Sequence, residues 1–195
     1  MTGSPQRAEL AARLRPALLD AASTPGRRVH GTTSGVLLPI APGPGGEPTL
    51  MFTRRRDDLR RHPGEISFPG GRRDPDDSDV IATALREAHE ETGLDPRDVE
   101  LVGALTPIPT IATGYAIYPF VGVVDGGRAW MPQELEVAEV IEVPLAELAA
   151  RYERRRMRRR GLTFTTNAFP LDDQRLIWGA TGRITLELLQ RLGLR

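Results

Sequence analysis

One stretch of this sequence, from Val80 to Thr92, limits what the chain can fold into more than any other. It contains neither glycine nor proline, and residues 76–79 before it are Asp and Ser side chains that can cap a helix N-terminus. Gly93 follows it and suits the left-handed position that ends many helices. The pattern therefore predicts a helix from Val80 to Thr92. Its expected apolar face consists of Ile81, Leu85, Ala88 and Thr92.

Three glutamates lie on the other face of this predicted helix. Glu87, Glu90 and Glu91 share one side, because residues three and four apart stack on a helix. Carboxylates placed so close together repel one another, and a divalent cation would relieve that repulsion. Mg²⁺ prefers carboxylate oxygens together with water and substrate phosphates. The alternative is a solvated acidic face, which is what a run of like charges usually forms.

A glycine turn, Phe68-Pro69-Gly70-Gly71, precedes the helix and favours the metal interpretation. Glycine lets the backbone approach a ligand without interference from a Cβ atom. A turn of this kind that leads into a helix with three carboxylates is suited to a diphosphate bound through a metal ion.

Residues 71–94 resemble the Nudix box of diphosphate-cleaving hydrolases, G-x5-E-x7-R-E-U-x-E-E-x-G-U, where U is apolar. The second half of the box matches in full, from Arg86 to Leu94. The first half differs, because the position of the first box glutamate falls on Asp77 or Ser78, and we expect no metal ligand there. The resemblance implies Mg²⁺ or Mn²⁺ as the cofactor. The metal ligands it implies are Glu87, Glu90, Glu91 and the Gly71 carbonyl.

A second motif is similar to one branch of that family, the coenzyme A pyrophosphatases. The branch signature is L-L-T-x-R-[SA]-x3-R-x3-G-x3-F-P-G-G, and the chain matches it at Thr53, Arg55, Arg60, Gly64 and residues 68–71. Two features depart from it: Met-Phe replaces Leu-Leu, and an arginine stands at the Ser or Ala position. Residues 113–115 and 177–181 are also similar to this branch, so the resemblance covers about residues 36–189.

The resemblance implies roles for further residues. The expected substrate-binding residues are Arg55, Arg60, Gly70, Gly71 and Tyr115, and the expected catalytic residues are Glu90, Glu136 and Arg86. Arg86 is interpreted as an ion-pair partner that orients a carboxylate, and either Glu90 or Glu136 is the general base. The alternatives are exposed loop charge for Arg55 and Arg60, core packing for Tyr115, and a charged loop for Glu136.

The implied reaction is metal-dependent hydrolysis of the diphosphate bond of coenzyme A or its thioesters. It releases 3′,5′-ADP and 4′-phosphopantetheine or its acyl derivative. Two alternatives stay open at this point. One is a diphosphatase for another small nucleoside diphosphate derivative, such as ADP-ribose or an oxidised dNTP, and the other is a non-catalytic nucleotide-binding module.

Composition excludes several kinds of chemistry. All 26 basic residues are arginine and the chain has no cysteine, which excludes lysine Schiff bases, thiol nucleophiles, disulfides and cysteine-bound zinc. The formal net charge is zero, so we expect neither nucleic acid nor a membrane as a partner. No apolar run approaches the roughly 20 residues of a membrane span and no signal-peptide core is present, so we expect a cytoplasmic protein.

The remaining pattern predicts strands and two further helices. The predicted helices cover residues 7–21 and 182–192, and the predicted strands cover residues 35–39, 49–53, 99–105, 117–124 and 140–143. Strands alternating with helices predict an α/β fold, with an α/β/α sandwich around a mixed β-sheet. The resemblance implies that this is the Nudix fold.

We expect one hydrolase domain in residues 31–195, with residues 1–30 forming a helix and loop that pack on it. Packing of that segment between two copies of the chain, as in a homodimer, is the alternative. Residues 151–160 contain seven arginines in ten positions. They are interpreted as a solvated strand or hairpin, with binding of substrate phosphate or of RNA as alternatives.

Overall fold

The computed structural model describes residues 4–26, 29–110, 114–159 and 161–195. The helices are α1 (Pro5–Leu14), α2 (Val80–Thr92), α3 (Leu145–Arg151) and α4 (Gly179–Arg191). The strands are β1 (Thr32–Pro42), β2 (Pro48–Arg55), β3 (Ile66–Ser67), β4 (Gly70–Arg72), β5 (Glu100–Ala104), β6 (Ile108–Pro109), β7 (Tyr115–Val123), β8 (Val137–Pro144), β9 (Glu153–Arg159), β10 (Leu162–Pro170) and β11 (Leu176–Ile177).

The main sheet is mixed and runs in the order β3-β2-β1-β7-β5, with β4 beside β1, β6 beside β7 and β8 beside β2. The central pair, β1 and β7, is parallel, and the other described pairs of this sheet are antiparallel. Nine of the eleven residues of β1 are buried. A strand buried on both faces reads as a continuous apolar run, which is why residues 35–39 stood out in the sequence.

Helices cover both faces of this sheet. On one face, α2 packs against β1 so closely that a Cβ atom on Gly35 would lie 2.4 Å from the Val80 carbonyl oxygen. On the other face, apolar residues of α1 and α4 share a core with β1, β2 and β10. The predicted α/β/α sandwich around a mixed β-sheet is thereby confirmed. No helix in the described part of the chain is long and apolar enough to cross a membrane.

Helix α2 begins and ends where the sequence predicts. The Asp79 side chain accepts a hydrogen bond from the Ala82 amide at 2.8 Å, and Gly93 ends the helix with a φ of 70°. Its predicted apolar face is partly wrong, because Ile81 and Leu85 are only half-buried. The deeply buried positions are small, since α2 lies so close to β1. They are Val80, Thr83, Ala84, Ala88 and Thr92.

The predicted helix over residues 7–21 is too long. Helix α1 ends at Leu14, because Pro16 has no backbone amide to continue the ladder, and a 3₁₀ turn follows. Leu10 and Leu14 are buried in the core shared with α4. The division of the chain between residues 30 and 31 stays a prediction.

A small second sheet, β9-β10-β11, contains the arginine-rich run. β9 and β10 form an antiparallel hairpin, while β11 pairs with the end of β10 and lies near β3. Arg160, at the end of the run, lies outside the described residues. The segment between β5 and β7 contains the short strand β6, and residues 111–113 of that segment also lie outside the described residues.

Candidate active site

The start of α2 is anchored by Asp77, which stands close to the first glutamate position of the Nudix box. Asp77 is 8% exposed and accepts hydrogen bonds from Arg86 Nε at 3.0 Å, the Thr83 hydroxyl at 2.8 Å and the Asp74 amide at 2.9 Å. The Arg86 guanidinium lowers the pKa of Asp77 to about 2, with help from the other two donors. Asp77 is thus a fixed partner for Arg86.

Arg86 connects this anchor to two of the box glutamates. Its Nη2 lies 2.9 Å from Glu87 Oε1 and its Nη1 lies 3.0 Å from Glu90 Oε2. Nη2 also donates to the Arg72 carbonyl at 3.3 Å. The guanidinium therefore orients both carboxylates, as expected of an ion-pair partner.

The helical pattern predicts that Glu91 lies on a solvent-facing side of α2. In the structure this side chain is buried. It is 9% exposed, its carboxylate accepts a hydrogen bond from the buried Thr53 hydroxyl at 3.3 Å, and it also accepts one from the Gly70 amide. The prediction is wrong because the end of β2 and the turn between β3 and β4 cover this side of α2. Burial, together with the nearby charges of Glu136 and Glu87, raises the pKa of Glu91 to about 8.

Glu87 packs directly on the glycine turn. A Cβ atom on Gly71 would lie 2.4 Å from Glu87 Oε1, so a side chain at position 71 would displace this carboxylate. The Gly71 carbonyl accepts a hydrogen bond from the Ser34 hydroxyl at 2.7 Å. Burial raises the pKa of Glu87, while its ion pair with Arg86 opposes the change.

Arg55 and Glu136 meet on the other side of these carboxylates. They form an ion pair between the end of β2 and the residue that precedes β8. Glu136 is close enough for its charge to raise the pKa of both Glu87 and Glu91. Arg55 Nε is buried without a hydrogen-bond partner among the described residues. The pair therefore adds a fourth carboxylate and a second guanidinium to the cluster.

Two predicted residues lie apart from this cluster in the described contacts. Arg60 is exposed on the loop between β2 and β3 and has no ion pair or hydrogen bond within the described part of the chain. Tyr115 is half-buried at the start of β7, and its carbonyl accepts a hydrogen bond from the Thr110 amide at 2.8 Å. No contact described here joins Tyr115 to the carboxylates.

Three supporting residues were absent from the predicted site: Ser34, Thr53 and Asp77. Thr53 lies inside the quoted branch motif, so its position was a usable signal. Asp77 stands near the position of the first box glutamate, where the sequence predicted only the absence of a metal ligand. The sequence around Ser34 gave no comparable signal, because its contact with Gly71 depends on pairing between β1 and β4.

The donors available here are hard oxygen atoms, which fit Mg²⁺ or Mn²⁺. Among the described residues, no three His, Cys, Asp or Glu side chains already form a metal cluster. The reason is that Arg86 holds Glu87 and Glu90, while Arg55 holds Glu136. Crowded carboxylates with raised pKa values and a glycine that leaves room for one of them make up a site that a cation would stabilise.

Comparisons with known proteins identify a family for the chain. Residues 32–163 match the NUDIX domain. The chain is 39% identical over 163 residues to a Yersinia pestis (strain Pestoides F) protein named "Uncharacterized Nudix hydrolase NudL", a match that covers 83% of this chain and 80% of that protein. A Yersinia pseudotuberculosis (serotype O:1b, strain IP 31758) protein of the same name matches equally well.

Solved structures show the same fold. The structure of a MutT/nudix family protein from Enterococcus faecalis matches with a TM-score of 0.57 at 12% identity, over 86% of this chain and 64% of that one. A NUDIX hydrolase from Alicyclobacillus acidocaldarius matches with a TM-score of 0.50 at 19% identity, over 62% of this chain and 82% of that one. At such identities, the likeness shows the fold alone.

Proposed function

This chain belongs to the Nudix hydrolases, metal-dependent enzymes that cleave diphosphate bonds, and we propose that its substrate is coenzyme A or a coenzyme A thioester. The products would be 3′,5′-ADP and 4′-phosphopantetheine or its acyl derivative. The substrate assignment goes beyond the family, and it depends on how the branch motif is used in this structure.

One observation carries the proposal: residues of the branch motif lie beside the carboxylate cluster formed by the box glutamates and Glu136. Thr53 donates to Glu91, Gly71 leaves room for Glu87, and Arg55 binds Glu136 beside them both. The motif that is similar to coenzyme A pyrophosphatases therefore helps to build the reaction centre. A motif that served only to stabilise the fold would not need to reach this cluster.

Four groups would hold the cation in this proposal: the carboxylates of Glu87, Glu90 and Glu91 and the carbonyl of Gly71. When bound, the cation would neutralise charge on the diphosphate oxygens. Arg86 keeps Glu87 and Glu90 oriented, and its own position is fixed by Asp77. Thr53 and the Gly70 amide fix the Glu91 carboxylate in the same way.

Glu136 is the residue we favour as the general base that accepts a proton from the attacking water, with Glu90 as the alternative. Its side chain is 43% exposed, so water reaches it, and it faces both Glu87 and Glu91 from outside the helix. Glu90 shares Arg86 with Glu87, which fits a role in holding the cation.

Arg60 is the stronger candidate for binding the 3′-phosphate of coenzyme A. Its guanidinium has no partner in the described part of the chain, whereas that of Arg55 is bound to Glu136. A guanidinium can bind a phosphate through two hydrogen bonds at once. Arg55 is proposed to contact the diphosphate, and Tyr115 to line the pocket for the organic part of the substrate.

A substrate panel tests this function. Coenzyme A, acetyl-coenzyme A, ADP-ribose, NADH and dNTPs are incubated with the protein and Mg²⁺ or Mn²⁺, and the products are identified by mass. We expect kcat/KM to be about tenfold or more higher for coenzyme A or its thioester than for ADP-ribose. Faster cleavage of ADP-ribose or of an oxidised dNTP would identify a different diphosphatase, and no cleavage of any substrate would identify a binding module.

A further inference from the structure

The hairpin of β9 and β10 has one strongly basic face. Arg154, Arg156 and Arg158 alternate along β9, and all three are exposed. Their neighbours across the hairpin carry neutral hydrogen-bonding side chains. We call the six residues the arginine face: Arg154, Arg156, Arg158, Thr163, Thr165 and Asn167.

These three guanidiniums have no partner within the fold, as far as the chain is described. None of them has an ion pair or hydrogen bond to a described residue, whereas Arg155, on the other face, pairs with Glu153. Residues two apart on a strand are about 6.6 Å apart, so the three positive charges repel one another. No described acidic side chain of this chain relieves that repulsion. An anionic partner that is not part of the chain could relieve it.

No contact between described residues joins the arginine face to the carboxylate cluster. At the base of the hairpin the same face continues with Tyr152 and Phe169, whose rings lie 5.6 Å apart. Phe169 belongs to the core shared with α4, while α2 packs over the opposite face of the main sheet. Phe164, on the other face of the hairpin, lies near Trp178. A diphosphate held at α2 is therefore not the natural ligand of the arginine face.

The shape and chemistry of the arginine face are suited to binding a row of phosphate groups. The charges form a single row at about 6.6 Å intervals, and a single nucleic-acid strand likewise presents its phosphates in a single row. The parallel row of Thr163, Thr165 and Asn167 offers neutral donors to phosphate oxygens. We propose that the arginine face binds the phosphate backbone of a single-stranded nucleic acid, independently of the hydrolase site.

Other anionic partners fit less well. A duplex groove presents two rows of phosphates, but only the β9 row of this face is charged. A membrane would favour an apolar side chain beside the arginines, yet the exposed Leu162 alternates onto the opposite face with Phe164. In the sequence analysis, the zero net charge of the chain argued against nucleic acid as a partner. Net charge is a total over the whole chain, however, and does not show the local row of three arginines on β9.

Such binding would be weak, salt-dependent and independent of base sequence. Backbone contacts of this kind typically give a Kd of roughly 10⁻⁴ to 10⁻⁶ M. Three phosphate contacts on a single strand predict that log K falls with log[salt] with a slope of about −2.

The test is fluorescence anisotropy of a labelled single-stranded RNA of about 15 nucleotides with the full chain, over a salt series starting near roughly 50 mM. We expect the combined variant Arg154→Gln, Arg156→Gln, Arg158→Gln to bind about tenfold more weakly or worse and to lose most of the salt slope. A Lys triple variant at the same positions keeps the charges, so it should keep the slope.

The matched control removes three other arginines that are exposed and unpaired among the described residues, through Arg13→Gln, Arg61→Gln and Arg183→Gln. It changes the net charge equally and should shift Kd by less than about twofold to threefold. The proposal is overturned if the control variant loses binding as much as the Gln triple variant of the arginine face. It is also overturned if the wild type shows no binding, or if polyglutamate competes as well as unlabelled RNA. Hydrolysis of diphosphates is measured separately, so failure of the proposed function leaves this test intact.

Discussion

The carboxylate cluster at α2 and the arginine face of the hairpin both concentrate like charges, but they differ in how those charges are balanced. At α2, Arg86 contacts Asp77, Glu87 and Glu90, and Arg55 contacts Glu136. On the hairpin, Arg154, Arg156 and Arg158 have no described acidic neighbour. Charges balanced within the fold are held in fixed positions, which catalysis requires, whereas unbalanced charges are available to a partner.

Within the carboxylate cluster, Glu91 is the carboxylate whose negative charge is least balanced by arginine. Among the box glutamates it is the most buried, and its described contacts are with the Thr53 hydroxyl and the Gly70 amide rather than with a guanidinium. Burial raises its pKa, and the nearby charges of Glu136 and Glu87 add to the rise. We infer that the catalytic cation supplies the missing positive charge beside Glu91. The carboxylate cluster would then also bind a partner from outside the chain, but only at this one position.

The largest effect is expected from removing charge inside the cluster. Glu87→Gln and Glu91→Gln should each lower kcat by roughly two orders of magnitude, because each removes a proposed charged ligand of the cation. The fold should persist, since Gln is nearly isosteric and Glu91→Gln removes a buried charge. Turnover is measured with coenzyme A and Mg²⁺, alongside thermal unfolding. Near-wild-type turnover in either folded variant would contradict the assignment.

The second-largest effect is expected at Arg60, an arginine that has no ion pair within the described part of the chain. Arg60→Ala should lower kcat/KM for coenzyme A by about 10- to 100-fold while leaving dephospho-coenzyme A much less affected, because a charge-assisted phosphate contact contributes about 1.5–3 kcal/mol. Arg61→Ala is the matched control, since Arg61 is also exposed. Equal losses on both substrates would mean that Arg60 does not bind the 3′-phosphate.

Removing the ion pair between Asp77 and Arg86 should have a smaller effect on turnover. Asp77→Asn removes the charged partner that fixes Arg86, so kcat should fall about tenfold as Glu87 and Glu90 lose their orientation. The free energy of unfolding should fall by about 1.5–3 kcal/mol. Asp76→Asn, at an exposed neighbouring position, is the control and should change neither quantity appreciably. A stable and fully active Asp77→Asn variant would show that Arg86 needs no anchor.

The same pair predicts how stability depends on pH. The folded-state pKa of Asp77 is about 2, below its ordinary value of 3.8. Ionised Asp77 therefore stabilises the fold above about pH 4, and this contribution is lost as the pH falls toward 2. Urea unfolding of the wild type and of Asp77→Asn should show a difference in free energy that is present at about pH 5 and shrinks in acid. A difference that is constant with pH would contradict the ion pair.

The smallest effect is expected from the hairpin on hydrolysis. The Gln triple variant at Arg154, Arg156 and Arg158 should change kcat/KM for coenzyme A by less than about twofold, because sites without shared partners act independently. A large rise in KM would show that the arginine face contributes to substrate binding, and the contrast between the two regions would then fail.

Local signals predicted α2 well. The cap at Asp79, the uninterrupted helix and the glycine at position 93 are all encoded within a few residues, so both ends of the helix could be placed. Several strands were found at their buried centres but too short, as with residues 35–39 inside β1, because paired strand ends need not be apolar. The strand predicted over residues 99–105 was instead longer than β5.

The errors arose where distant segments meet. A helical pattern separates the two faces of α2, but it does not show that the end of β2 and the β3–β4 turn cover Glu91. Ser34 and Thr53 support the site through strand pairing, which a single sequence does not specify. The Nudix box supplied the candidate ligands and their partner Arg86, while the contacts of Ser34 and Thr53 became visible only in the fold.

The central claim is that the cluster around the buried Glu91 carboxylate binds a divalent cation, and Mn²⁺ titration followed by electron paramagnetic resonance tests it most directly. The protein is titrated without substrate, as the wild type, as the double variant Glu87→Gln, Glu91→Gln, and as Glu65→Gln, a control outside the cluster. We predict that the wild type and the control bind Mn²⁺ alike and that the double variant binds it at least about tenfold more weakly. Equal Mn²⁺ binding by all three proteins would contradict the account.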